Sequence, residues 1–178
     1  LLNKTKVMIG VLLIISGLCI LTIHNTLNKN KTFTLTEIEN DIVNRIYQSA
    51  DGKKNVQNVK IETTKKVGEY IVYLYSYEYK ENGVSNNYAI YKEDQGKYKR
   101  DTGSILSFKF KNSNHNKGLQ YIMKDGYLIL VGIINNGDHD TYEIISGDIT
   151  ITDKYERNKY FIKEYELGNP NTMKITPK

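Results

Sequence analysis

The chain has 178 residues, a formal net charge of +5 and a single cysteine, Cys19. That length suits one ordinary domain with a sizeable core, and one thiol excludes an intrachain disulfide framework. The charge is mild and interleaved with acids, as in Lys92-Glu93-Asp94 and Lys99-Arg100-Asp101, so no nucleic-acid partner is expected.

Composition is skewed toward residues with AT-rich codons: 22 Lys, 22 Ile, 19 Asn and 15 Tyr against 3 Arg and 2 Ala. A low-GC bacterial genome explains this. It also gives the basic balance and the wealth of tyrosine an origin other than function.

Residues 1–6 read as a short cytoplasmic tail carrying Lys4 and Lys6. Behind it, Val7–Ile23 has no charged residue, and eleven of its positions are Val, Ile or Leu. On an insertion scale of ~0.3–0.6 kcal/mol for each such residue, the run favours the bilayer by about 3–7 kcal/mol. The expectation is an uncleaved signal anchor, a transmembrane helix over residues 7–24. Leu18 before Cys19 does not suit a lipoprotein, and His24-Asn25-Thr26 offers no small-x-small cleavage site. A short tail with a large polar domain behind it implies a single-pass protein of the cell membrane, with its C-terminal domain outside the cytoplasm.

Residues 25–35 then form a tether, and residues 36–178 an extracytoplasmic domain. Thr36 and Glu39 read as a capping box, and Ile38, Ile42, Val43 and Ile46 recur on one face. Asp51-Gly52 supplies a stop, so the spacing predicts a helix over Thr36–Ala50.

Beyond it the period changes to two. Predicted strands are Val59–Lys65, Glu69–Lys80, Asn87–Glu93, Lys97–Arg100, Ile105–Lys111, Leu119–Met123, Tyr127–Ile134, Thr141–Ile145, Asp148–Thr152, Lys159–Glu166 and Met173–Thr176. Short Gly-bearing gaps between them indicate hairpins. The fold class expected is α+β: the transmembrane helix, then one amphipathic helix packed on a curled, mostly antiparallel β-sheet.

The stretch Tyr70–Lys80 holds five tyrosines. An Asn82-Gly83 two-residue turn would set Tyr77 opposite Tyr88, Tyr75 opposite Ile90 and Leu74 opposite Tyr91. In that register most of the stripe is sheet packing. Near the wet hairpin tip, Tyr77, Tyr79 and Tyr88 remain as a candidate ligand or partner surface.

The catalytic inventory is thin. His24, His115 and His139 are scattered, and the chain has no HExxH, GxSxG, P-loop or GxGxxG pattern. Asp138, His139 and Asp140 are a weak metal candidate, better explained as turn chemistry. Glu164 and Glu166 share a strand face with nothing to mark them as tuned. No metal and no cofactor are expected.

The functional expectation is therefore a non-enzymatic extracytoplasmic module on its anchor, binding a protein or cell-envelope component. An alternative is an assembly subunit of a bacterial secretion or conjugation apparatus. Tail, single span and outer domain are similar to such subunits with an NTF2-like outer domain, although only one helix precedes the sheet here. A small extracytoplasmic hydrolase near His139 or His115 is a further alternative.

Overall fold

The computed structural model describes residues 31–49, 55–80, 83–101, 119–168 and 172–178. Thr32–Phe33 form a short strand β1, and Leu35–Gln48 form the helix α1. Ten further strands follow: β2 (Val56–Val67), β3 (Tyr70–Tyr79), β4 (Gly83–Asp94), β5 (Lys97–Arg100), β6 (Leu119–Lys124), β7 (Tyr127–Ile133), β8 (Thr141–Ser146), β9 (Ile149–Lys154), β10 (Tyr160–Glu166) and β11 (Met173–Pro177). The predicted strand Ile105–Lys111 lies outside the described residues.

The strands make three open antiparallel sheets in the orders β1-β5-β4-β3-β2, β10-β7-β6 and β11-β8-β9. This corrects the expected single curled sheet. The described chain is mostly β, with one short helix. The physical reason lies in β3 and β7, whose cores are apolar on both faces. Leu128 and Leu130 of β7 join Tyr142 and Ile144 in one core, and Ile129 and Val131 join Val72, Leu74 and Ile90 in another. A strand covered on both sides reads as a continuous apolar run, not an alternation. Stacked sheets satisfy that pattern, with the first sheet also carrying α1 on its outer face.

Helix α1 starts one residue earlier than predicted, and its cap is Thr34 in place of Thr36. The Glu37 carboxylate accepts the Thr34 backbone N–H at 2.7 Å and the Thr34 hydroxyl at 3.0 Å, and the Glu37 N–H donates to the Thr34 carbonyl at 3.1 Å. Thr34-x-x-Glu37 and Thr36-x-x-Glu39 both fit the capping pattern. The first wins because it puts Phe33 and Ile38 on either side of the cap, and both are buried in the same core. That is a hydrophobic staple, and β1 pairing with β5 fixes it in place. The helix closes at Ser49, whose hydroxyl donates to the Ile46 carbonyl at 2.7 Å.

The β3–β4 register also differs from the predicted one. Leu74 pairs with Tyr88, Tyr75 with Asn87, Tyr77 with Ser85 and Tyr79 with Gly83. Tyr79 is thus the last paired residue of β3, and Gly83 opens β4 with φ +77°. An odd slip in register exchanges the faces of the partner strand. Tyr88 and Ile90 consequently look toward the second sheet, while Asn87, Ala89 and Tyr91 look toward α1.

The expected tail (1–6), anchor (7–24) and most of the tether (25–30) lie outside the described residues. Among the described residues no helix is long and apolar enough to cross a membrane. Crossing takes about 20 predominantly apolar residues. Helix α1 has 14, with Glu37, Glu39, Asp41 and Arg45 among them. The reading as a single-pass, membrane-partnered extracytoplasmic protein is corrected accordingly: no described element carries it.

Candidate functional site

The tyrosines of β3 divide by parity. Tyr73 and Tyr75 are buried under α1, Tyr77 packs at the edge of that core, and Tyr79 follows it toward the strand end. The rings form a ladder. Tyr75 and Tyr77 stack at 6.4 Å between centroids, and Tyr77 meets Tyr79 edge-on at 5.3 Å. Such pairs hold their rings in place and add about 0.5–1.5 kcal/mol beyond area burial. Tyr77 and Tyr79 are thus brought together, whereas Tyr88 is separated from them by the thickness of the sheet, packing against the middle core with Tyr127 and Tyr160.

The ladder leads out of the core into a groove of about 210 Å³ between the C-terminal half of α1 and the first sheet. Ile42 and Ile46 line it from the helix, Tyr75, Tyr77 and Tyr79 from β3, and Arg45 and Arg100 add two guanidinium groups. No carboxylate lines it among the described residues.

The two arginines differ. Arg45 Nε donates to both Asp41 oxygens, at 3.1 and 2.9 Å, and the same carboxylate accepts the buried Tyr91 hydroxyl at 2.8 Å. Arg100, at the end of β5 and opposite Tyr91, has no hydrogen-bond or ion-pair partner among the described residues. The hydroxyls of Tyr75 and Tyr77 are likewise without a hydrogen-bond partner there. Burial pushes the Tyr75 phenol above its ordinary pKa, so it stays a neutral donor, although the positive charge of Arg100 pulls the other way. The result is an apolar floor with unpartnered donors around it.

Sequence reasoning found Tyr77 and Tyr79 but missed Arg100. Arg100 is far from the stripe in sequence, and three residues of a four-residue strand around it are charged. Only the β4–β5 register puts its side chain on the helix face.

Two larger or neighbouring hollows are less suited to a ligand. One, of about 640 Å³, is lined by Glu69, Lys92, Asp94, Lys99 and Lys124, and Arg100 reaches its margin as well. Most of its charges pair with one another: Lys92 with Glu69 at 3.2 Å, Lys99 with Asp94 at 2.6 Å and Lys124 with Asp101 at 2.6 Å. The other, of about 330 Å³, is the polar outer side of α1 around Asn40, Asn44 and the Asp41–Arg45 pair.

The weak metal candidate does not converge. Asp138 Oδ2 accepts the Asn135 backbone N–H at 3.0 Å, closing the turn. His139 Nδ1 meets the Lys178 carbonyl at 3.1 Å. Asp140 accepts the Thr141 hydroxyl at 3.1 Å and Arg157 Nε at 3.2 Å. Among the described residues no three His, Cys, Asp or Glu side chains are grouped to hold a metal. His115 and Cys19 lie outside the described residues, and Glu164 pairs with Lys65 at 3.5 Å.

No family model, no curated protein and no solved structure matches this chain. The expected kinship of layout with NTF2-like assembly subunits therefore has no support from similarity, and three stacked open sheets stand where a single curled sheet was expected. The expectation of a module for a protein or envelope component rested on the anchor, and it is set aside with the anchor. The hydrolase alternative called for a polar pocket at His139 or His115; none of the three hollows above is lined by His139, and His115 lies outside the described residues.

Proposed function

We propose that the chain is a non-catalytic binding domain whose site is the groove between α1 and the first sheet, with Tyr77 and Tyr79 as its aromatic wall. The observation that carries this reading is the tyrosine ladder. Its inner ring is fixed in the core, its outer rings open on the groove, and the hydroxyls of Tyr75 and Tyr77 find no hydrogen-bond partner among the described residues. A few placed donors around an apolar floor are what a small-ligand site requires. Tyr88 is not part of this site.

The size of the groove sets the size of the ligand. About 150 Å³ holds one benzene ring, and drug-sized ligands fill roughly 300–1,000 Å³. A groove of about 210 Å³ takes one ring with a short substituent.

Backbone amide shift mapping of the full chain tests the reading, using three single-ring probes: benzyl alcohol, benzylamine and phenylacetate. Shifts clustered at Tyr75, Tyr77, Tyr79, Ile46 and Asn87 with any of them, and the probe recovered unchanged, support a binding domain. No clustered shift with all three, or a chemically altered probe, overturns it.

A further inference from the structure

We infer that the ligand of this groove is a monoanionic carboxylate on a single-ring body, and that Arg100 is the residue that selects it. The inference rests on the groove being a binding site and names the class of ligand it takes.

The argument is charge complementarity. The groove presents two cations and no carboxylate among its described lining residues. Arg45 is already neutralised within hydrogen-bond distance by Asp41, a buried residue that α1 and Tyr91 hold in place. Arg100 is not neutralised by any described side chain. Among the described residues one groove cation therefore remains to be balanced, which matches an anion of one charge and not a doubly charged phosphate.

The geometry of the donors points the same way. A guanidinium offers a planar fork that matches the two oxygens of a carboxylate. Tyr77 also lines the groove, and its hydroxyl, without a hydrogen-bond partner among the described residues, is a second donor. The apolar floor of Ile42 and Ile46 and the Tyr77 ring face would cover the body of the ligand. A cationic ring would find an arginine unpaired, and no acceptor carboxylate, among the described residues, so the site also discriminates by repulsion.

Dissociation constants for phenylacetate and benzylamine on the full chain, with and without Arg100→Gln, test the inference. Phenylacetate should bind at least tenfold more tightly than benzylamine, and R100Q should weaken it by about 10- to 100-fold, the range for a hydrogen bond to a charged group. Tyr77→Phe should weaken phenylacetate by a smaller factor, about 2- to 10-fold. R100K, which keeps the charge but loses the fork, should recover only part of the affinity. An unchanged amide spectrum outside the groove shows that each variant is folded, and Tyr77→Phe serves if R100Q is not. Equal binding of the two probes, or phenylacetate affinity indifferent to R100Q and Y77F, overturns the ligand class while leaving the groove as a site. Absence of binding by every probe overturns both.

Discussion

The Tyr91 hydroxyl donates to the Asp41 carboxylate across 2.8 Å, inside the layer where α1 meets the first sheet. Tyr91 is fully buried and Asp41 nearly so. Burial, then the hydrogen bond to the Asp41 anion, pushes the Tyr91 phenol well above its ordinary pKa, so it remains a donor. The bond fixes the angle of the helix that forms one wall of the groove. Arg45 is occupied through the shared carboxylate, which leaves Arg100 as the available groove cation among the described residues.

Removing that hydroxyl should be costly. Tyr91→Phe leaves a buried carboxylate short of one donor, and should destabilise the fold by about 1.5–3 kcal/mol. Arg45→Gln, on the more exposed side of the same carboxylate, should cost about 0–1 kcal/mol. Urea denaturation of the two variants would rank them, and equal losses would show that the buried bond is not the dominant one.

The start of α1 can be located by mutation. Phe33→Ala removes the staple from the core and should cost about 3–5 kcal/mol. Thr34→Ala removes the cap, at about 1 kcal/mol. Thr36→Ala should cost less than either, because Thr36 lies inside the first turn. Thermal denaturation giving Thr36→Ala the larger loss of the two threonine variants would move the helix start to the position that spacing alone suggested.

The apolar patterns explain which parts of this fold were legible. Period-two runs located β2 to β11, and β5 falls where predicted, because side-chain alternation is a local property; β1, two residues inside the expected tether, was missed. The helix existed in the pattern of Ile38, Ile42 and Ile46, but its start did not, since two overlapping Thr-x-x-Glu patterns compete and the choice depends on Phe33 meeting a distant strand. The stacking of separate sheets was partly written in the uninterrupted apolar runs Tyr70–Tyr75 and Tyr127–Val131. Those runs mean two covered faces, and reading them as one curled sheet overlooked that. For the site, a three-residue error in the hairpin register put Tyr88 beside Tyr77. Arg100 was invisible, because its place depends on strand pairing and on what does not pair with it.

Alkaline pH should weaken the fold through two phenols outside the groove. Burial, reinforced by the Asp125 carboxylate, pushes Tyr70 up to about 12, and burial pushes Tyr155 up to about 12. A phenol whose folded pKa is raised stabilises the fold fully below its unfolded value of about 10. That contribution is lost as pH rises from about 10 through 12. Stability measured by urea denaturation across this window should fall, and the fall should be shallower in Tyr70→Phe and Tyr155→Phe. A slope identical in wild type and both variants would assign the loss to other groups.

The central claim is that Tyr77 and the α1 isoleucines form one wall and floor of a ligand site on the helix side of the first sheet. The direct measurement is the set of intermolecular NOEs from the ring protons of phenylacetate to the full chain. The account predicts contacts to the Ile42 and Ile46 methyls and to the Tyr77 ring, with none to Tyr88. Contacts to Tyr88 without Tyr77, or to neither the tyrosine ladder nor the isoleucines, would contradict it.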